Sequence, residues 1–238
     1  MLLAVPLMKT PNHRTLVGAD RREKMRTRLI ESALLVFARR GADGTVIDEV
    51  IRTAEVARGT FYNYFKTNEE LLTAVAEEVG NQMLEIVDPV VSRQPDPAAR
   101  LAFGVRLMLM VGRAHPHLAA FLSRVGPVAL GADSAAMKYL PRDLAEGMAA
   151  GKFTKLHPRL AFDLVAGPVL AGFHSLTHER VPKTYPQEMT QAILQSLGVP
   201  KASARKLAWL PLQELVLPAE SLLMRAQSRA LGVAPATS

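Results

Sequence analysis

The sequence predicts an all-α protein with a small basic N-terminal domain and a larger, more apolar C-terminal domain. Apolar residues recur at the three-to-four-residue spacing of helices along most of the 238 residues. No run alternates apolar and polar residues as a half-buried strand does, and proline and glycine separate the helical segments. Lysine and arginine outnumber the acids by 12 to 7 in residues 1–66 but only by 17 to 15 in the rest of the chain.

Composition excludes several classes of protein. The chain has no cysteine, so it can form neither disulfides nor thiolate sites. No segment predicts a membrane span, and the opening MLLAVPLM lacks the basic segment and cleavage site of a signal peptide. The cytoplasm is therefore the expected compartment. A basic end on a nearly neutral body favours a polyanion such as nucleic acid as partner.

Three short helical segments follow a tail. Residues 1–19 show no periodicity and are expected to be mobile. Apolar residues share one face from Asp20, a plausible N-cap, to the helix-ending Gly41, which predicts a first helix. Thr45 can cap a second helix of about two turns, and a break at residues 54–57 leads into a third. Two short helices around a tight turn indicate a helix-turn-helix.

The third segment, ARGTFYNYFKTNEELL, holds four of the 13 aromatic residues of the chain within five positions. On a helix, Phe61 and Phe65 lie one turn apart and point toward the core. Arg58 and Tyr62 are also one turn apart, with Asn63 beside them on the opposite side. Exposed tyrosine beside arginine and asparagine is typical of an interface with phosphates and bases.

The segment TVIDEVIRTAEVARGTFYNYFKTNEELLTAV resembles the DNA-binding domain of tetracycline-repressor-like (TetR-like) transcription regulators. Their signature is a helix-turn-helix that ends in Gly-Thr-(Leu/Phe)-Tyr-x-(Tyr/His)-Phe-Lys, and the match covers roughly residues 22–78. The resemblance implies a DNA-binding domain over residues 20–66. It also implies a set of residues that contact double-stranded DNA: Thr45, Arg58, Gly59, Thr60, Tyr62, Asn63, Tyr64 and Lys66.

The resemblance assigns different roles to these residues. Thr45 would cap the second helix and contact phosphate, and Tyr64 and Lys66 would hold the DNA backbone. The others would face the major groove, where Arg58 or Asn63 could read a base edge with two hydrogen bonds, worth about 1–3 kcal/mol of discrimination.

Two positions depart from the family pattern. Glu55 stands where the family often has glycine in the turn, and Ala57 stands where it often has serine, which could cap the recognition helix. Asp48 and Glu49 favour the dipole of the second helix, and they would weaken binding if they faced DNA.

The rest of the chain, residues 67–238, predicts a helical ligand-binding and dimerisation domain. A long helix begins at Thr67 and is expected to stop before Pro89. Pro141 and the pair at 167–168 should kink or split the helices that contain them. The further predicted helices span 97–113, 116–124, 133–150, 158–180, 186–197, 201–209 and 218–231.

The resemblance also implies a homodimer that reads a palindromic operator and a pocket for a small-molecule effector. Dimerisation is expected through helices 158–180 and 186–197, with contacts from Leu164, Gly167, Leu170, Ala171, Phe173, His174 and Ile193, although intrachain packing explains the same residues. The pocket could be lined by Phe103, Met108, Phe121, Met137, Met148 and Phe162, which would suit a hydrophobic or aromatic ligand, although a methionine or phenylalanine at helical spacing is usually a core residue.

No signature of an enzyme, cofactor or metal site is evident in the sequence. The pair His174 and His178 supplies two nitrogens, but zinc needs three or four ligands. The hypothesis is a homodimeric bacterial repressor that a ligand releases from DNA. The alternatives are a DNA-binding regulator or architectural protein without a small-molecule input, and a helical ligand-binding protein that has lost DNA binding.

Overall fold

The computed structural model describes residues 13–41, 46–125, 135–212, 217–218 and 221–230. Within these ranges the chain forms helices and no strand, which confirms the all-α prediction. The helices are α1 (His13–Arg40), α2 (Val46–Ala54), α3 (Arg58–Tyr62), α4 (Asn68–Val91), α5 (Pro97–Ala114), α6 (Pro116–Val125), α7 (Ala135–Ala149), α8 (Pro158–His178), α9 (Tyr185–Ser196), α10 (Lys201–Ala208) and α11 (Leu222–Ala230).

Helices α1 to α3 form the N-terminal head around one apolar core. Phe37 of α1, Val50 of α2 and Phe61 of α3 are fully buried in it. The head also packs against the body, because α1 runs along α6. There the rings of Phe37 and Phe121 lie 6.2 Å apart, and the Arg124 side chain donates a hydrogen bond to the carbonyl of Ala38. Head and body therefore share one continuous core.

Helix α5 is the central helix of the body. Asp96 caps it by accepting a hydrogen bond from the backbone N–H of Ala98 at 3.1 Å, and Pro97 occupies its first turn, where no N–H is needed. It packs against six other helices: α4, α6, α7, α8, α9 and α10. Helix α11 returns to the head, where Arg225 and Arg229 both pair with the buried carboxylate of Glu31 on α1.

Two helix ends differ from the sequence-based expectation. Helix α1 begins at His13, seven residues before Asp20, so part of the expected tail is helical. Helix α4 continues through Pro89 to Val91. A proline lacks one N–H and crowds the preceding turn, yet Pro89 is followed by only two helical residues, so little of the helix depends on the missing bond.

Helices α7 and α8 are each continuous through their prolines. Pro141 lies inside α7 and Pro168 inside α8, so neither residue splits its helix as one alternative had suggested. Gly167 and Pro168 lie near the middle of α8, where the helical hydrogen bonds on both sides keep the helix continuous.

Candidate nucleic-acid interface and apolar cavity

The turn between α2 and α3 positions the recognition segment. Val46, Val50 and Ala54 bury one face of α2 against the head. Glu55 then adopts a left-handed backbone with φ of +52°, a conformation that glycine takes more readily. Its carboxylate accepts a hydrogen bond from Arg28 at 2.9 Å. Helix α3 starts after Ala57 without a side-chain cap, which fits the absence of a hydroxyl at that position.

The four aromatic residues divide between core and surface. Phe61 and Phe65 are buried, whereas Tyr62 and Tyr64 are half-buried and leave part of each ring accessible. The Tyr62 ring stands edge-on to Phe61, with centroids 5.4 Å apart. The core aromatics thus hold the two tyrosines in fixed positions at the surface.

Arg58 is the exposed cation at the start of α3. Its guanidinium lies 3.2 Å from the carboxylate of Asp48 and 5.9 Å from the centre of the Tyr62 ring. Hydrogen bonding with Tyr62, and secondarily the charge of Asp48, raise the pKa of Arg58 above its ordinary value. The contacts with Asp48 and Tyr62 orient the Arg58 side chain at the surface. Glu49 pairs instead with Arg39 and Arg40 of α1.

The other predicted DNA contacts surround Arg58. Gly59 and Asn63 are exposed and Thr60 is half-buried, so all three lie at the surface of the head. A Cβ atom on Gly59 would meet no other protein atom within 4 Å. Lys66 donates to the carbonyl of Tyr62. Thr45 lies outside the described residues.

Helix α4 connects this surface to the body. The Thr67 hydroxyl accepts a hydrogen bond from the backbone N–H of Glu70 at 3.0 Å, and the Glu70 carboxylate accepts one from the backbone N–H of Lys66 at 2.7 Å. These reciprocal bonds resemble a capping box. They fix the start of α4 directly to the end of the recognition segment.

A cavity of about 220 Å³ lies in the body between α4, α5, α7 and α8. Most of its wall is apolar, and helix α4 supplies a large part of it. Its volume is below the roughly 300–1,000 Å³ of pockets for drug-sized ligands, so it suits a small molecule. The apolar lining is Ala76, Val79, Gly80, Met83, Val87, Val91, Leu101, Gly104, Val105, Met108, Leu122, Leu140, Val165, Ala166, Val169, Leu170 and Phe173.

One end of the cavity is polar. Asp88, Arg100, Tyr139, Arg142 and Asp143 line it. The carboxylate of Asp143 is buried and accepts hydrogen bonds from Arg100 at 3.1 Å and from Arg142 at 2.9 Å. Both guanidinium groups reach the same oxygen, Oδ1. In the part of the chain that the structure describes, the other oxygen of Asp143 accepts no bond.

The structure places only some of the predicted pocket residues at this cavity. Met108 lines it. Phe103, Phe121 and Phe162 are buried in the core but do not line the cavity. Other hydrophobic residues of the surrounding helices form its wall. Met148 is half-buried, with its sulfur 3.4 Å from the backbone nitrogen of Leu156. The side chain of Met137 lies outside the described residues.

The residues predicted for the dimer interface fall into two groups. Gly167, Ala171 and His174 are exposed and Leu164 is half-buried, and these four lie on one face of α8. The other three point inward: Leu170 and Phe173 line the cavity, and Ile193 is buried in the core. Leu160, which is 49 % exposed, extends the surface face by one further turn.

Helix α8 has the length and apolar character of a membrane span, but it packs against α5, α6, α7 and α9 as a helix of a globular body does. Its rings of His174 and His178 stack with centroids 4.2 Å apart. Among the described residues, no group of three or more histidines and acids could hold a metal ion.

Family models match two parts of the chain. Residues 29–75 match the tetR family of bacterial regulatory proteins, and residues 96–209 match the tetracyclin repressor-like C-terminal domain. The structure of RolR in complex with resorcinol is 32% identical to this chain, with a TM-score of 0.64, and the match covers 83% of this chain and 100% of RolR. RolR without ligand gives 31% identity and a TM-score of 0.65 over 80% and 100% of the two chains. The chain therefore belongs to the TetR family of bacterial transcriptional regulators.

Curated relatives match over shorter stretches. An uncharacterized HTH-type transcriptional regulator of Mycobacterium tuberculosis is 29% identical over 116 residues, which cover 47% of this chain and 55% of the relative. The HTH-type transcriptional repressor DhaR of a Mycobacterium species is 28% identical over 79 residues, or 33% of this chain and 40% of DhaR. The matches thus span about half the length of these curated relatives or less.

Sequence reasoning did not identify the polar end of the cavity. Arg100, Arg142 and Asp143 come from two helices that meet only in the fold, and each looks like an ordinary surface charge in the sequence. One sequence signal could have indicated a buried carboxylate. Asp143 lies directly before the apolar Leu144, which is buried, and α7 contains only one other acid.

Proposed function

We propose that the chain is a homodimeric repressor that binds a palindromic operator in double-stranded DNA and is released from it by a small aromatic ligand. The observation that carries this proposal is that α4 forms a wall of the cavity and begins at Asn68, two residues after Lys66. A ligand that shifts α4 therefore also shifts the recognition helix. A repressor of this kind works in the cytoplasm, where the chromosome is.

The mechanism requires two recognition helices at a fixed separation. Half-sites on one face of DNA are read about 34 Å apart, so a modest change in the separation of the two α3 helices weakens both contacts together. The ligand acts by binding one arrangement of α4 more tightly than the other. The hydrogen bonds of Thr67 and Glu70 transmit the shift, because they limit the movement of α4 relative to the end of the recognition segment.

The polar end of the cavity supports an aromatic ligand that carries hydroxyl groups. The apolar walls would bury a ring, and the open oxygen of Asp143 would accept a hydrogen bond from a hydroxyl. The related RolR structure contains resorcinol, a benzene ring with two hydroxyl groups. We therefore propose a dihydroxybenzene or a similar small phenol as effector of this chain.

The exposed apolar face of α8 supports the homodimer. Leu160, Leu164, Gly167 and Ala171 form a strip of small and apolar side chains that the described part of this chain leaves accessible to solvent. Small residues let two helices approach closely, and a two-fold axis would bring the same strip of a second copy against it. A palindrome requires such symmetry.

The two alternative functions receive less support. A regulator that binds no small molecule should have a body without a cavity, whereas this body contains one. A ligand-binding protein that has lost DNA binding would not need an exposed Arg58 beside an exposed Asn63. Neither alternative therefore replaces the proposal.

Selection of binding sites from random double-stranded DNA tests the DNA half of the proposal. The wild type should enrich a palindrome, and an Arg58→Ala, Tyr62→Ala double variant should enrich none, because both side chains contact the bases or the adjacent backbone. Thermal unfolding of the variant checks that the head still folds. The proposal is wrong if the wild type enriches nothing even at low salt.

Release by resorcinol tests the ligand half. Resorcinol should weaken binding to the enriched palindrome, and Asp143→Asn should raise the required concentration by a factor of about 10–100, as the loss of a hydrogen bond to a charged group predicts. Glu146→Gln is the matched control, since Glu146 also pairs with Arg100 but does not line the cavity. Equal responses of the two variants would contradict the assignment of Asp143.

A further inference from the structure

The N-terminal part of α1 forms a second basic surface beside the recognition helix. Helix α1 begins at His13, whereas the family model for the DNA-binding domain matches only from residue 29. Between these points the chain carries six lysines and arginines but only two acids. This segment adds positive charge to the head but is not part of the helix-turn-helix. Its position relative to α3 decides whether it can contact the same DNA.

A groove separates this part of α1 from the recognition segment. Gly18, Arg21, Arg22 and Met25 form its first wall, and they share one face of α1 because they recur at intervals of three and four residues. The opposite wall consists of four residues predicted to contact DNA: Thr60, Asn63, Tyr64 and Lys66. The groove therefore continues the predicted DNA surface directly onto α1.

The charges of this groove suit a polyanion. No acidic residue lines it, and it gathers three cations, Arg21, Arg22 and Lys66. The Arg22 guanidinium lies 6.0 Å from the centre of the Tyr64 ring, which orients it. Among the described residues, no carboxylate pairs with Arg21 or Arg22, although Lys24 on a different face of α1 pairs with Asp20 at 2.8 Å. Three neighbouring cations repel one another, and a phosphate chain in the groove would relieve this.

We propose that Arg21 and Arg22 bind the phosphate backbone beside the bases that α3 reads, so that each protomer grips the DNA with α1 as well as with the helix-turn-helix. This inference rests on the proposed DNA-binding function and extends its contact surface. Phosphate contacts fix the position of a protein on DNA but carry no sequence information. Arg21 and Arg22 therefore contribute affinity and salt dependence and leave the base preference to α3.

The salt dependence of DNA binding tests the inference. We measure affinity by fluorescence anisotropy, with the palindrome enriched by the wild type and with a scrambled duplex, between about 50 and 200 mM salt. The slope of log affinity against log salt changes by about 0.9 for each phosphate contact. An Arg21→Ala, Arg22→Ala double variant should therefore lose about 1.8 from the magnitude of the slope per protomer, with an unchanged preference for the palindrome.

Two further variants make the result specific. Lys24→Ala removes one positive charge from a different face of α1 and should leave the slope near that of the wild type. An Arg21→Lys, Arg22→Lys variant keeps both charges and should restore it, since the slope counts neutralised phosphates. Circular dichroism during thermal unfolding verifies that each variant is folded.

The outcomes separate the inference from the proposed function. If the wild type binds the palindrome but the double alanine variant has the same slope as Lys24→Ala, the inference is wrong and the proposed function stands. The inference also fails if the variant changes which bases are preferred, because Arg21 or Arg22 would then read bases. If the wild type binds neither duplex at low salt, the proposed function fails and the inference fails with it.

Discussion

At the scale of single residues, the recognition segment combines backbone strain with exposed polar groups. Glu55 holds a left-handed conformation that glycine adopts at less cost, and Gly59 stands in open space on a helix, where alanine would be more stable. At each position, a different residue would make the folded protein more stable. Sites that violate local preferences are often functional, and substitutions at these two positions separate stability from DNA binding.

The strain at Glu55 should be measurable. Glu55→Gly and Glu55→Ala both remove the exposed ion pair with Arg28, so the difference between the two variants isolates the backbone. We expect Glu55→Gly to exceed Glu55→Ala in free energy of unfolding by about 1 kcal/mol, because alanine keeps the left-handed strain. Urea unfolding of both variants checks this. Equal stabilities would mean that the turn relaxes when the glutamate is removed.

Substitution of Gly59 should affect stability and function in opposite directions. Gly59→Ala places its methyl group where no protein atom lies within 4 Å, so we expect the free energy of unfolding to rise by about 0.5–1 kcal/mol. The same methyl group would occupy space that the DNA needs, and affinity for the palindrome should fall. Anisotropy titration and urea unfolding of one preparation test both. Unchanged affinity would remove Gly59 from the DNA surface.

At the scale of secondary-structure elements, the junction of α3 and α4 depends on one cap. Thr67→Ala removes the acceptor for the Glu70 backbone N–H and should lower the free energy of unfolding by about 1 kcal/mol. Thr67→Ser keeps the hydroxyl and serves as the control. A looser junction should also weaken release by resorcinol more than it weakens DNA binding. Equal unfolding free energies of the alanine and serine variants would show that the cap contributes nothing.

Local signals explain why some elements could be predicted from the sequence and others could not. The helix-turn-helix and most helix boundaries follow from nearby residues, as in the cap at Asp96 and Pro97, which marks the start of α5. The start of α1 could not be predicted, because residues 1–19 show no helical periodicity, although the structure continues the helix back to His13. The polar end of the cavity depends on Arg100 and Asp143, which are 43 residues apart and meet through the packing of α5 on α7.

Two histidines at the junction of α5 and α6, the buried His115 and the half-buried His117, should make stability depend on pH. Burial lowers the pKa of His115, and burial together with the charge of Arg39 lowers the pKa of His117. A base with a lowered pKa is protonated more readily in the unfolded chain. Stability is therefore fully present above the unfolded pKa of about 6.5 and is lost as pH falls below it.

Removal of these imidazoles should reduce the effect. Glutamine keeps a polar side chain but cannot titrate near pH 6, so a His115→Gln, His117→Gln variant should lose less stability than the wild type on acidification. Urea unfolding at neutral and mildly acidic pH gives the comparison. If the loss is the same in both proteins, other groups dominate the acid response.

At the scale of the whole molecule, the fold distributes its tasks over separate surfaces of one core. The head presents Arg21, Arg22 and Lys66 beside the recognition segment, α4 carries the link to the cavity, and α8 exposes an apolar strip on the body. Head and body share buried contacts through α1 and α6, so a change in the cavity meets a connected structure rather than a flexible linker. The proposed control by a ligand requires this continuity, and it also requires the proposed dimer.

Dimerisation through α8 leads to the last prediction. Ala171→Arg places a charge on the exposed strip beside Gly167, so two copies could no longer pack closely, and the protein should sediment as a monomer. Affinity for the palindrome should fall by a factor of about 10²–10⁴, because a dimer gains that much by holding two half-sites at once. The added positive charge would by itself favour DNA binding, so a fall in affinity must come from the lost dimer.

Ala202→Arg is the matched control, since Ala202 is exposed on α10, away from the strip. Analytical ultracentrifugation and anisotropy titration test both variants, and a dimeric Ala171→Arg protein with full affinity would place the interface elsewhere.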